Sequence, residues 1–134
     1  MINQDKDRNN SSHYGTFLDN YNSGNAFLNN ISGSFLEKIS SDKAIIIQNG
    51  DGLMKAKFEQ IDRVQNDSQK SNYDKIVMVG EIIQDIAPDI IGINNPEVKK
   101  SGINVILNFL NVAKETEDRT LIDTAKKISG TLKL

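Results

Sequence analysis

The C-terminal half of the chain repeats large aliphatic residues at intervals of three and four positions, and this spacing is the strongest constraint on its fold. After Ser71, the repeating residues are Ile76, Val79, Ile83, Ile86 and Ile90. An α-helix places such residues on one face, where they can be buried together. Ser71 with Asp74 three positions later is typical of a helix start, and Gly92 of a helix end. Pro88 is expected to kink or end this helix, because proline removes one backbone hydrogen bond.

A second helical stretch follows at once, and a third follows after a break. Asn95-Pro96-Glu97 combines a capping side chain, a proline in the first turn and an acid near the positive end of the helix dipole. The apolar positions are Ile103, Ile106, Phe109, Leu110 and Ala113, then Leu121, Ile122, Ala125, Ile128 and Leu132. One helix across both stretches would be unusually long, so we expect a break near Thr116–Asp118 and a C-cap at Gly130. The pattern predicts an all-α fold, a small helical bundle with a C-terminal helical hairpin over residues 72–130.

Residues 43–58 fit two different folds. Asn49-Gly-Asp-Gly52 lies between two apolar stretches and is typical of a β-hairpin turn, which would make the fold α+β. Alternatively, a helix starts after Gly52, with Leu53, Met54, Phe58, Ile61 and Val64 on one face. A lone two-stranded hairpin is barely stable in water, so we favour the helix, preceded by a short helical or extended piece that ends at Gly50.

The first 40 residues differ in composition from the rest. We expect residues 1–13 to form a flexible polar arm, residues 14–40 a conditional amphipathic helix, and residues 41–134 the helical domain. The predicted interaction face of the 14–40 helix consists of Phe17, Leu18, Tyr21, Gly24, Leu28, Ile31, Phe35, Leu36 and Ile39. Because Gly, Asn and Ser are poor helix formers, this helix should form only when the face is covered. The cover could be the chain's own C-terminal helices, a partner or identical subunit, or a membrane surface.

The chain offers little for catalysis or metal binding. It has no cysteine, which excludes disulfides and thiolate metal sites, and its single histidine, His13, lies in the polar arm. Glu81, Asp85 and Asp89 form an acidic stripe that could seat a divalent cation, although such stripes more often face solvent and nearby lysines. Asn49-Gly-Asp-Gly52 lacks the lysine of a phosphate-binding loop. We therefore predict no catalytic residue, no metal and no cofactor, and a protein that is not an enzyme.

These features favour a non-enzymatic protein–protein interaction or assembly module that self-associates, with a protein partner or a second copy on the 14–40 face. Two alternatives stay open: a peripheral membrane protein that uses residues 14–40, and a nucleic-acid-binding regulator that uses the C-terminal lysines. Nucleic acid is the less supported partner, because the net charge is −2 and no aromatic residues alternate with those lysines. The chain has no apolar leader, so we expect a cytoplasmic protein, and its Ile, Asn, Lys and Asp content suggests a bacterial or phage genome.

Overall fold

The computed structural model describes residues 26–133 of the chain. Its helices are α1 (26–38), α2 (Ser40–Asn49), α3 (Gly52–Gln65), α4 (Asn72–Ile91), α5 (Pro96–Thr116) and α6 (Arg119–Leu132). Contacts divide the chain into two units, Met1–Asn30 and Ile31–Leu134, with the boundary inside α1. In the first unit, the described residues 26–30 are helical, whereas the rest of α1 and all of α2 to α6 belong to the second unit.

The all-α helical bundle is confirmed, and the stretch that left two folds open is helical. No strand occurs between residues 26 and 133, so the β-hairpin alternative at 43–58 is wrong. Asp51 stabilises the helical conformation locally, because its carboxylate caps the start of α3 by accepting a hydrogen bond from the Met54 amide at 3.0 Å. Gly50 ends α2 in an extended conformation, as expected.

Side-chain caps begin the C-terminal helices where the sequence predicts them. The Ser71 hydroxyl accepts from the Asp74 amide at 3.1 Å, and the Asn95 side chain accepts from the Glu97 amide at 3.0 Å. Asp118 accepts from the Leu121 amide at 3.1 Å, which starts α6 at the predicted break. Each cap satisfies a backbone donor that has no partner inside the first turn of a helix.

Helix α4 ends at Gly92 as predicted, whereas the end of α6 differs from expectation. Helix α4 continues through Pro88 to Ile91 before Gly92 ends it, because Ala87 and Ile90 on either side of the proline are buried in the core. The C-cap of α6 is Lys133 rather than Gly130, since the last turn of α6 carries the partly buried Leu132 onto the core. Burial of apolar side chains thus outweighs a local signal at Pro88 and at Gly130.

The core is built from buried residues of all six helices, with most of them on α4 and α5, and α4 packs against α3, α5 and α6. Helices α4 and α5 approach closely at two glycines: a Cβ on Gly80 would lie 2.5 Å from the ring of Phe109, and one on Gly102 would lie 2.7 Å from Ile90. Phe109 also meets Phe35 of α1 edge to face, with ring centroids 6.0 Å apart. Both rings are fully buried, so the part of α1 that belongs to the second unit packs against α5.

A polar network joins α2 to α3 beside this core. The ammonium of Lys43, a residue only 8% exposed, donates to Asp62 at 2.7 Å and also to Gln65. The Gln65 amide in turn donates to the Leu36 carbonyl at the end of α1, at 3.0 Å. The nearly buried ammonium therefore has two hydrogen-bond acceptors, one of them a carboxylate, which offset the cost of burying its charge.

Candidate functional site

The described part of the predicted 14–40 interaction face belongs largely to the core of the second unit. Phe35, Leu36 and Ile39 are buried there, and Ile31 is half-buried against it. Leu28 is half-buried in the first unit. The other predicted positions, Phe17, Leu18, Tyr21 and Gly24, lie outside the described residues, as do the polar arm and His13. In the second unit, the chain's own helices bury the part of the predicted interaction face that lies between Ile31 and Ile39.

The acidic stripe on α4 is not a metal centre. No group of three or more His, Cys, Asp or Glu side chains within residues 26–133 is placed to hold a metal ion. Asp85 instead pairs with Lys57 of α3 at 3.0 Å, and Glu81 and Asp89 are exposed. The stripe is therefore a solvated ridge on the outside of the bundle.

The turn at Asn49–Gly52 borders a polar cleft of about 540 Å³ at one end of the bundle. Two of its polar side chains already form hydrogen bonds within the fold, since Asp51 caps α3 and Asn95 caps α5. The Asn49 amide donates to the Ile45 carbonyl at 3.2 Å. Because of these hydrogen bonds, the turn does not direct a set of unused polar groups into the cleft that could bind a ligand together.

An apolar cleft of about 500 Å³ opens on another side of the bundle, where α4, α5 and α6 meet. Its lining residues are Pro88, Ile91, Ile103, Ile106, Leu107, Thr131 and Leu132. Ile91 and Leu107 are 45% and 48% exposed, which is high for large aliphatic side chains. Completing the burial of each would contribute about 1 kcal/mol.

This cleft lies beside the last turn of α6, where residues of α4 and α5 extend past that turn. Helix α6 has 14 residues, whereas α4 has 20 and α5 has 21, so α6 is about 9 Å shorter at 1.5 Å per residue. Helices α4 and α6 begin side by side, since the Tyr73 hydroxyl in the first turn of α4 donates to Asp118, the N-cap of α6, at 2.8 Å. Helix α6 therefore ends near Pro88, and the last turn of α4 and the first turns of α5 stay uncovered.

A second cleft, of about 400 Å³, continues along the seam between α5 and α6. Its lining residues are Leu110, Ala113, Lys114, Ile122, Ala125, Lys126, Ser129 and Gly130. Since the first cleft is lined by Ile103–Leu107 of α5 and the second by Leu110–Lys114, the two follow one another along the same side of α5. Together they form one groove with an aliphatic floor.

Cations flank this groove on both helices, and Lys114 and Lys126 line the second cleft directly. Seven residues fall about 20° short of two full helical turns, so residues seven apart lie in line on a helix surface. On α5 the line is Lys100, Leu107 and Lys114, and on α6 it is Arg119, Lys126 and Lys133. All six side chains are exposed, and none of the five cations forms an ion pair with another residue in the 26–133 range. We call the two clefts with these two lines the basic groove.

Acidic side chains are largely kept away from the α5 edge of the basic groove. Glu97 and Glu115 share the opposite flank of α5 with Asn104, whose amide lies 3.5 Å from Asp42 of α2. On α6, Asp123 lies beside the cationic line. The groove therefore combines an open apolar floor with edges that are mainly positive.

The basic groove was not predicted from the sequence, although part of its signal is there. Leu107 falls outside the apolar face assigned to the second stretch, and cations recur fourteen residues apart before the break at Thr116–Asp118 and seven residues apart after it. The signal is weak, because the pairing of α5 with α6 and the early end of α6 decide whether these lines border a groove.

None of the helices between residues 26 and 133 combines the length and the apolar composition that crossing a bilayer requires. Comparison of the chain with protein-family models, with curated proteins and with solved structures found no match. The residues and geometry of the basic groove are therefore the basis on which a function can be proposed.

Proposed function

We propose that the protein is a non-enzymatic protein-interaction module that binds an acidic amphipathic helix of a polypeptide chain in the basic groove. The observation that carries the proposal is the apolar surface of the groove, where Ile91 and Leu107 are about half exposed. Lys114 and Lys126 line the same groove, and neither forms an ion pair within residues 26–133. An exposed apolar patch rimmed by charge is typical of a protein-binding surface. We further propose, from the composition of the chain, that the protein is cytoplasmic and of bacterial or phage origin.

The shape and chemistry of the groove favour a helix over the alternative ligands. A helix can place apolar side chains at three-four spacing on the floor and acidic side chains toward both cationic lines. A nucleic acid would satisfy the cations but leave the floor exposed, and the side chains that line the two clefts include no aromatic ring on which a base could stack. A membrane surface cannot follow a concave groove whose apolar residues lie between two helices.

The proposal is tested with synthetic helical peptides. One peptide of about 18 residues carries Leu on one face and Glu elsewhere, and a second has the same Leu face with Lys in place of Glu. Binding is measured by fluorescence anisotropy on the full chain. We expect the acidic peptide to bind more tightly, and added salt to weaken its binding because exposed charges are screened.

A matched pair of variants locates the binding surface. Leu107→Asp places a carboxylate on the floor and should weaken the acidic peptide by about tenfold or more, equivalent to roughly 1.4 kcal/mol per tenfold. Leu53→Asp is the control, because Leu53 is equally exposed, at 49%, but lies on α3 and lines the polar cleft rather than the groove. Circular dichroism and thermal melting check that both variants fold. Equal binding by the wild type and Leu107→Asp, or no preference for Glu over Lys, would contradict the proposal.

A further inference from the structure

We infer that the acidic helix that occupies the basic groove is α4 of a second copy of this chain. The inference rests on the proposed function and names the partner of the same groove. Helix α4 carries exposed residues along its outer side at spacings of four, three, four and four: Asp74, Met78, Glu81, Asp85 and Asp89. At 100° per residue these five span about 80° of the helix surface, so they form one straight line. We call this line the acidic ridge.

The acidic ridge offers the carboxylates that the cations of the groove attract. Its four carboxylates are accompanied by no cation on the same line, and Met78 adds an apolar side chain that is 36% exposed. In the described part of the chain, Asp85 pairs with Lys57, whereas Asp74, Glu81 and Asp89 form no ion pair. Methionine adapts its shape easily to an apolar surface, so Met78 is suited to contact the floor of the groove.

The two surfaces also match in length. Asp74 and Asp89 are 15 residues apart, about 22 Å along the helix axis. The cationic line on α5, Lys100 to Lys114, and that on α6, Arg119 to Lys133, each span 14 residues, or about 21 Å. A ridge laid along the groove can therefore bring its carboxylates near cations over its whole length.

A single copy cannot satisfy both surfaces by itself. The ridge points away from the core, whereas α4 meets α5 and α6 through its inner side, which carries Gly80 and Ile90. Ridge and groove thus lie on different sides of the bundle, and pairing them joins unlike surfaces of two copies. Such a head-to-tail contact leaves one free ridge and one free groove in every dimer, so that further copies can add.

The test uses sedimentation velocity of the full chain over a concentration series at low and high salt. We expect association that grows with concentration and weakens with salt. Lys114→Glu with Lys126→Glu disables the groove, and Glu81→Lys with Asp89→Lys disables the ridge. Each pair should lower the association constant by about tenfold or more, because attraction between charges becomes repulsion.

Mixing the two double variants gives the decisive result. The groove variant retains its ridge and the ridge variant retains its groove, so the mixture should form a heterodimer of one copy each and nothing larger. Lys38→Glu with Lys55→Glu is the matched control; these exposed lysines lie on α1 and α3, and their reversal should leave association unchanged. All of the altered side chains are exposed, and circular dichroism checks the fold.

A wild type that stays monomeric at every concentration would overturn the inference, as would double variants that associate like the wild type or a mixture that fails to form the heterodimer. Failure here is distinguishable from failure of the proposed function. A monomeric wild type that binds the acidic peptide through Leu107 retains the groove as a binding surface for another protein. A wild type that neither associates nor binds the peptide refutes both.

Discussion

Replacing Gly80 by alanine would place a methyl group in steric conflict with the ring of Phe109. The added Cβ would lie 2.5 Å and 2.6 Å from two ring carbons, whereas ordinary contact begins at 3.4 Å. Phe109 is fully buried and packs edge to face on Phe35, so the ring has little room to retreat. Either the ring moves by nearly 1 Å or α4 and α5 separate by a similar distance.

The expected magnitude is a difference between two opposing terms. Alanine is favoured over glycine in a helix interior by about 1 kcal/mol. Overpacking a dense core typically costs about 1–3 kcal/mol, and opening neighbouring contacts by 0.5–1 Å loses roughly a quarter to a half of their attraction. We therefore expect Gly80→Ala to destabilise the fold by up to about 2 kcal/mol, which lowers the midpoint of thermal unfolding by up to roughly 8 °C.

Urea unfolding followed by circular dichroism measures this change as a shift of the midpoint at constant slope. Gly130→Ala is the matched control, because a Cβ at this helical position meets nothing within 4 Å. It should gain up to about 1 kcal/mol from helix propensity alone. Phe109→Leu combined with Gly80→Ala should cost less than the sum of the two single changes, since the smaller side chain makes room for the methyl group. If Gly80→Ala stabilised the protein as Gly130→Ala does, the close approach of α4 and α5 would be refuted.

Two further changes test the helix ends. Burial raises the pKa of Tyr73, as does its hydrogen bond to Asp118, so the stability this group contributes is complete below pH 10 and is lost as the pH rises through the folded-state pKa. Tyr73→Phe should cost about 1 kcal/mol at neutral pH and remove this alkaline slope in urea unfolding, and an unchanged slope would contradict the assignment. Glu117 ends α5 with a left-handed backbone, φ 54°, which glycine adopts without strain. Glu117→Gly should therefore raise stability by about 0.5–1 kcal/mol in the same assay, and a loss would show that the glutamate side chain contributes more than the strain removes.

The C-terminal helices could be predicted because their signals are local. Ser71, Asn95 and Asp118 each bond to an amide two or three residues away, so the sequence alone specifies where α4, α5 and α6 begin. The aliphatic residues at three-four spacing likewise identify the buried faces of these helices. Segment 43–58 is different, because its apolar residues satisfy both a helix and a hairpin until packing against α4 and α5 selects the helices.

The sequence by itself therefore determined the class of fold, the starts of the C-terminal helices and the faces they bury. Tertiary structure decided where Pro88 is tolerated, whether α6 continues past Gly130 and which part of the 14–40 face lies in the core. It also decided the candidate site, since the basic groove appears only where α6 pairs with α5 and leaves Ile91 and Leu107 about half exposed. The physical reason is that hydrogen bonds between near neighbours are encoded residue by residue, whereas an uncovered surface depends on how far each packed helix extends over the others.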